Sequence, residues 1–206
     1  MRRVADVLGV DAMSLYTYVP GKAELSDLML DRVYAEQLAA ISTDGGWRAA
    51  LESRARADWA LYERHPWVLR AAGPRPTLGP NELAVHEASL RAVEGVGLSG
   101  REMVAVVTLV AGYVSGVTRG IAEVIAEGET HGSEEQWWKE RSAVLDRVYD
   151  ADRFPVSTRL SVEGVFDGDE DAADYLANEI RSTFELGLER VLDGIAVLVD
   201  ERSSPR

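Results

Sequence analysis

The chain of 206 residues contains no cysteine, which removes disulfide scaffolds, thiolate zinc sites, iron–sulfur clusters and cysteine nucleophiles together. Histidine is scarce. His65, His86 and His131 are the three present, and none sits in an HExxH pattern; GxSxG and a glycine-rich phosphate loop are missing too. His86-Glu87 and Glu134-Glu135 are adjacent polar pairs. Neighbours on a helix point in different directions, so these pairs read as solvated faces rather than acid/base or metal centres. The expectation is a protein that is not an enzyme and carries no metal or cofactor. Long apolar runs are also lacking: a spanning helix needs about 20 mostly apolar residues. The longest uncharged stretch is Met103–Thr118, bounded by Arg101-Glu102 and Arg119 and interrupted by Gly112, Ser115 and Gly116. It reads as a buried helix of a soluble protein. Met1-Arg2-Arg3 runs straight into Val4-Ala5-Asp6, without the apolar centre of a signal peptide, so a cytoplasmic location and no membrane partner are expected.

What is present is an average globular composition, 46% hydrophobic and 28% charged, with an acidic balance of −13. Such a balance argues against nucleic acid, whose affinity depends on neutralising phosphates. The distribution softens that objection, because residues 1–22 hold Arg2, Arg3 and Lys22 against only Asp6 and Asp11. An acidic body with a less acidic tip can still place that tip on DNA.

Strand signals are rare, and apolar spacings of three and four recur almost everywhere, so the chain reads as all-α. A short helix Arg2–Leu8 stops at Gly9, and Asp11 caps a second, Ala12–Tyr18. Pro20-Gly21 separates that from a longer helix, Lys22 to about Leu38. After the linker Thr43–Gly46, a helix Trp47–Arg64 ends at His65-Pro66. Gly73-Pro74-Arg75-Pro76 and Gly79-Pro80 make a rigid loop before a helix Asn81–Val93. Ser99 caps a long apolar helix, Gly100 to about Glu127; Gly128–Gly132 is a turn, and Ser133–Asp150 is polar and helical. Arg153–Glu170, with Pro155, Gly164 and Gly168, reads as a mobile crossover. The last helix, about Asp171–Asp200, carries one apolar stripe through Leu176, Ile180, Phe184, Leu188, Val191, Ile195 and Leu198.

Two short helices joined through a glycine turn suggest a helix-turn-helix. The string Arg2-Arg3-Val4-Ala5-Asp6-Val7-Leu8-Gly9-Val10-Asp11-Ala12-Met13-Ser14-Leu15-Tyr16-Thr17-Tyr18-Val19-Pro20-Gly21-Lys22-Ala23-Glu24-Leu25 resembles the DNA-binding segment of the tetracycline-repressor (TetR) family. The apolar-Ala pair, Leu-Gly-Val, Ser-Leu-Tyr, the next aromatic and Gly-Lys-x-x-Leu carry the match. Arg75-Pro76-Thr77 and Phe184-Glu185-Leu186-Gly187-Leu188 extend it loosely over the rest of the chain.

The resemblance implies a helix-turn-helix DNA-binding domain over residues 1–40 and a ligand-binding and dimerisation domain over 46–206. Val4, Leu8, Val10 and Leu15 would be core. Ser14, Tyr16 and Tyr18 would bond phosphates, fixing register without reading sequence. Lys22 would add charge at a helix start. Ala12, Met13 and Thr17 would face the groove and touch thymine methyls, Arg2 would reach guanine and Arg3 a phosphate. Family members carry a helix ahead of the Arg-Arg-Val-Ala segment, and this sequence shows nothing before Met1. Two expectations follow: a natural chain that begins further upstream, or a dimeric small-molecule-binding module that does not bind DNA.

For the second domain the resemblance implies a homodimer that binds a small effector. Gly112, Ser115, Gly116 and Gly120 allow close helix approach, and with the stripe of the last helix they suggest a four-helix interface between two copies. A pocket for a mostly apolar, drug-sized effector would be lined by Trp59, Tyr62, His65, Arg75, Met103, Tyr113, Trp137 and Trp138. Tetracycline with magnesium is disfavoured, because Ala71 stands where those repressors have a metal-binding histidine. The expected partners are thus double-stranded palindromic operator DNA, an apolar effector and a second copy of the chain, in a repressor released by its ligand.

Overall fold

A computed structural model describes residues 1–73, 75–131, 134–166 and 175–203. Side chains are described outside 121–131, 134–138, 143, 146 and 175–177. Every element among the described residues is an α-helix. In chain order they are α1 (Arg2–Leu8), α2 (Ala12–Tyr18), α3 (Lys22–Ala40), α4 (Gly46–Arg64), α5 (Val68–Ala71), α6 (Pro80–Ala92), α7 (Gly100–His131), α8 (Glu134–Val148), α9 (Pro155–Val162) and α10 (Tyr175–Ser203). They form two compact units, residues 1–118 with 186–206, and residues 119–185.

In the first unit α3 packs on both α4 and α6, and α4 packs on α6. Leu30 and Val33 of α3 meet Leu61 of α4 and Val68 of α5, with Tyr34, Tyr62, Trp67 and Ala71 against them. Each large apolar side chain removed from water there stabilises the fold by roughly 1.5–3 kcal/mol. The apolar stretch of α7 puts Val106, Val107, Val110, Val114 and Thr118 inside, at helical spacing. Its other side, with Val104 and Leu109, is exposed. By length and composition Gly100–Gly120 could cross a membrane; its inward stripe belongs to the core of this unit.

Over this unit α7 and α10 run antiparallel. Arg202 donates from both Nε and Nη2 to Glu102 Oε1, at 2.9 and 2.7 Å. Glu102 also closes a capping box with Ser99, accepting from its N and Oγ at 2.8 and 2.7 Å. Further along, Gly187 gives room to the Tyr113 ring: a Cβ there would lie 2.7 Å from Tyr113 Cζ. Arg48 of α4 reaches Asp193 of α10 at 2.7 Å.

The stripe of α10 is satisfied within the chain. Leu188, Leu192 and Ile195 are buried in this unit, and Phe184 is buried in the second. Of the expected stripe, Phe184, Leu188 and Ile195 are thus buried within the chain, Ile180, Val191 and Leu198 are half-buried, and Leu186 and Val197, on the opposite side, are exposed. The side chain of Leu176 lies outside the described residues.

In the second unit the crossover is helical where coil was expected. Pro155 occupies the first turn of α9, where its missing N–H costs nothing, and Thr158 Oγ1 back-bonds to Phe154 O at 2.9 Å. Asp150 accepts from the Asp152 and Arg153 amides, and Tyr149 stacks near Phe154 with centroids 5.7 Å apart. Residues 167–170, including Gly168, and the expected start of α10 at Asp171 lie outside the described residues. Two differences are smaller: α5, in the first unit, is a single turn not expected from the sequence, and α7 runs on to His131, through residues 128–131 expected in a turn. Pro74 and Gly132 lie outside the described residues.

Glu102 is held well below the usual carboxylate range, to about 2, first by its hydrogen bond from Arg202 and then by those from Ser99. Its folded pKa is depressed, so its contribution is present above pH 4.5 and lost as pH falls toward about 2. Glu102→Gln should therefore flatten the acid limb of stability across that window. Urea midpoints measured down the pH scale for both proteins check this.

Candidate functional site

Two groups of residues stand out in the first unit: the surface of α1 and α2, and a polar cluster inside α3, α4 and α6. The first follows from local chemistry. Gly9 takes φ 66, a left-handed stop that L side chains adopt with difficulty, and lets Val10 N bond back to Ala5 O at 3.1 Å. Asp11 Oδ1 then accepts from Met13 N at 2.7 Å, capping α2. Val19 breaks the helix in extended conformation, and Gly21 starts α3 one residue before Lys22.

This arrangement puts most of α2 in solvent. Met13 is 72% and Tyr18 82% exposed, Tyr16, Ser14 and Thr17 are exposed, and Ala12 and Leu15 are half-buried. Arg2, Arg3 and Lys22 are exposed as well and make no ion pair among the described residues. The expected core of this region is not closed: Val4, Leu8 and Val10 are exposed, and Ala5 is the buried residue of α1. The reason is geometric. α1 and α2 pack on each other, and two seven-residue helices leave each other's outer faces uncovered.

The second group is polar and inside. Asp58 is 1% exposed; Arg54 Nε donates to its Oδ1 at 2.8 Å, and its Oδ2 has no partner among the described residues. Arg54 Nη1 continues to Ser89 Oγ and to Val85 O on α6. Gln37 of α3 is 3% exposed with Oε1 unpartnered. A buried acceptor without a donor costs roughly 1–3 kcal/mol. Burial pushes the Asp58 carboxyl above its usual range, against the opposing pull of Arg54. Burial, with the charges of Glu82 and Asp58, also pushes the Tyr34 hydroxyl up to about 12.

The residues expected to line a pocket are dispersed. Trp59 is buried, and Tyr62 packs against the Leu30–Val33–Leu61–Val68 core. His65 places Nε2 3.1 Å from Glu36 Oε2 of α3, with its ring edge-on to Trp67. That bond, with Arg64, holds the Glu36 carboxyl below its usual range. Arg75 is exposed, Met103 is half-buried, and Tyr113 is half-buried against Gly187. The side chains of Trp137 and Trp138 lie outside the described residues. A cavity of about 630 Å³ opens among Leu38, Trp47, Ala50, Ala84, Ala88 and Arg91, and none of the eight lines it. The reading from sequence missed Arg54 and Asp58. Leu51, Arg54, Asp58 and Leu61 follow one another at helical spacing, but a charged pair at i,i+4 is also what a solvated face carries, so the sequence did not mark this one as inward. Among the described residues no cluster of His, Asp or Glu could hold a metal ion.

Comparison with known proteins agrees with this architecture. The profile of the family Tetracyclin repressor-like, C-terminal domain, matches residues 41–199. The chain belongs to the TetR family. It is 43% identical over 205 residues to the HTH-type transcriptional repressor DrrR1 of Streptomyces coeruleorubidus, spanning 98% of this chain and 71% of that protein. An HTH-type transcriptional regulator of Saccharopolyspora erythraea is 33% identical over 116 residues, 56% of this chain and 49% of its own length. Among solved structures, the Streptomyces coelicolor TetR-family protein ActR in complex with actinorhodin superposes with a TM-score of 0.70 at 23% identity, covering 97% of this chain and 87% of ActR. The transcriptional regulator SCO7222, also from Streptomyces coelicolor, gives 0.69 at 22%, over 96% and 87%. The chain is thus a TetR-family transcriptional regulator, with a helix-turn-helix at its start.

The raised Tyr34 gives a test of the polar interior. In the unfolded chain it ionises near 10, and in the fold near 12. Its contribution is complete below pH 10 and is lost as pH rises toward 12. Tyr34→Phe cannot ionise and should make the alkaline limb shallower. Chemical unfolding across that window, with both proteins compared, reads the difference.

Proposed function

We propose that this regulator is a repressor that binds a palindromic operator as a homodimer and is released by a small, mostly apolar effector. The observation that carries the reading is the exposed surface of α2, with Met13, Tyr16 and Tyr18 in solvent beside Arg2, Arg3 and Lys22. Residues 1–40 form the DNA-binding domain in this proposal. Arg2 reads guanine, Ala12, Met13 and Thr17 meet groove edges, and Arg3, Ser14, Tyr16, Tyr18 and Lys22 hold phosphates. Residues 46–206 form the domain for effector and partner. The exposed side of α7 supplies the face for a second copy through Val104, Leu109, Gly112 and Gly116, joined by Leu186 and Val197 of α10. Such a regulator works in the cytoplasm.

The effector site is proposed inside α3, α4 and α6, on Asp58 Oδ2, which has no partner among the described residues; the dispersed positions of Tyr62, His65, Arg75, Met103 and Tyr113 leave them outside it. An acceptor without a donor selects a ligand that offers a hydroxyl or an amine on an apolar body. The complex of ActR with actinorhodin supports a ligand of that size. Differential affinity for two arrangements of α3, α4 and α6 is what would release the operator.

A second reading has its own support. The exposure of Val4, Leu8 and Val10 behind α1 and α2 favours a ligand-binding dimer without DNA binding. Selection of duplexes from a random-sequence pool by the full chain separates the two. A repressor recovers one palindromic sequence and binds it with steep salt dependence. Arg2→Ala should cost about 1–3 kcal/mol on that duplex and relax one position, whereas Lys22→Ala should lower the salt slope by about one. No enriched sequence, with effector binding intact, would establish the second reading. For the effector, a thermal-shift panel beginning with actinorhodin identifies a ligand; Asp58→Asn should then weaken it by about 1.5–3 kcal/mol.

A further inference from the structure

The helix α6 begins Gly79-Pro80-Asn81-Glu82, a poor start by local rules. Gly79 has no side chain to cap with, and Pro80 has no N–H to be capped. The first free amides, those of Asn81 and Glu82, both donate to Asp31 Oδ1 of α3, at 2.8 and 3.1 Å. Asn81 Nδ2 donates to Asp31 Oδ2 at 2.8 Å. A carboxylate borrowed from α3 therefore caps α6, where the helix dipole favours negative charge. Gly79 has an ordinary φ of −69, so its backbone does not demand glycine. Its neighbour does: a Cβ there would sit 2.8 Å from Asp31 Cβ.

The interlock extends in both directions. Glu82 Oε2 accepts from Thr77 Oγ1 and Leu78 N, both at 2.8 Å, and holds Leu78 at a φ of 59. The loop that contains Arg75-Pro76-Thr77 is thus tied to the turn that Asp31 caps. On α3, Leu30 and Val33 on either side of Asp31 are fixed in the core. Beyond them the helix runs about 14 Å to Lys22, with Ala23, Glu24, Asp27, Leu28 and Met29 exposed. Among the described residues Asp31 is accordingly the last point at which the body of the first unit grips α3 through hydrogen bonds before the turn to α2.

We propose that Asp31 is the positioning residue through which α6 and the 75–79 loop set the orientation of α3, and so of α2. This rests on the repressor reading: a ligand that moves α6 passes that movement to the DNA-facing helices through one carboxylate, and Gly79 exists to let the two backbones close on it.

The absence of cysteine makes the test direct, since Ala23→Cys and His86→Cys can carry spin labels on α3 and α6 of the full chain, diluted with unlabelled protein. Asp31→Ala should shift and broaden the label distance at unchanged circular dichroism. It should also weaken the wild-type-selected duplex about fivefold or more without changing the salt slope, because the phosphates contacted are the same. Gly79→Ala attacks the same contact from the other side and should act in the same direction. The double variant should then be no worse than Asp31→Ala alone, and Asp31→Asn, which keeps an acceptor, should restore part of the loss. Distances and affinity that match the wild type in Asp31→Ala would overturn the proposal, as would additive effects of the two variants. If Asp31→Ala fails to fold, Gly79→Ala and Asp31→Asn decide by the same readouts. If the wild type selects no duplex, the repressor reading falls, and the label distances still decide the interlock.

Discussion

The contact of α3 with α4 and α6 is the constraint on which the first unit depends. Leu30 and Val33 are the apolar half of it, meeting Leu61 and Val68. The polar half joins α4 to α6 beside it, Asp58 on Arg54, and Arg54 on Ser89 and Val85. The apolar half supplies the gain from burial, and dispersion contacts reinforce it. The polar half works against it, since an ion pair taken out of water recovers its desolvation only when every lone pair is satisfied. Asp58 Oδ2 and Gln37 Oε1 are not satisfied. A core optimised for stability alone would hold apolar residues at those positions. Their placement where three helices meet, one of which leads to α2, is what the proposed effector site rests on.

The pair α7 and α10 solves a different problem. A helix apolar on all sides has more inward surface than one neighbour can cover. Val106, Val107, Val110 and Val114 are covered, while Val104 and Leu109 are not. Gly187 lets the Tyr113 ring approach α10, and Glu102–Arg202 fixes the register at the end of the pair. The small residues Gly112 and Gly116 lie on the open side. They leave that side smooth, and a smooth apolar face suits another helix better than it suits water.

What could be read from the sequence was what neighbouring residues decide. Gly9 and Asp11 fixed the ends of α1 and α2, His65-Pro66 ended α4, and Ser99-x-x-Glu102 opened α7; each is an interaction within four residues. The family was legible for the same reason, since its motif is one short continuous string. Three features were not. The stripe of α10 announced a buried face without saying what would bury it, because periodicity carries no address. The cap of α6 comes from Asp31, fifty positions earlier, so the run Gly79-Pro80-Asn81 looked like a loop edge and nothing more. The buried pair Arg54–Asp58 resembled the i,i+4 ion pairs of any solvated helix, as Glu52–Arg56 and Glu87–Arg91 are. Only the fold shows that one pair is inside and two are outside.

The acidic balance of −13 looks hostile to a polyanion, yet its placement favours specificity. Residues 1–22 carry a slight positive excess, so the acidic excess resides in the rest of the chain. At physiological ionic strength charges beyond about 8 Å are largely screened, so in the proposed complex phosphates on α2 would respond to Arg2, Arg3 and Lys22 before they responded to the body. A weak basic tip lowers non-specific attraction to any duplex, which depends on the number of phosphates neutralised. In the proposed repressor, binding would then lean on the orientation of a few side chains on α2, which follows from that of α3. A protein that held DNA by geometry more than by charge would be released by a small change in geometry, and Asp31, Glu36 and the Leu30–Val33 core are where the first unit holds α3.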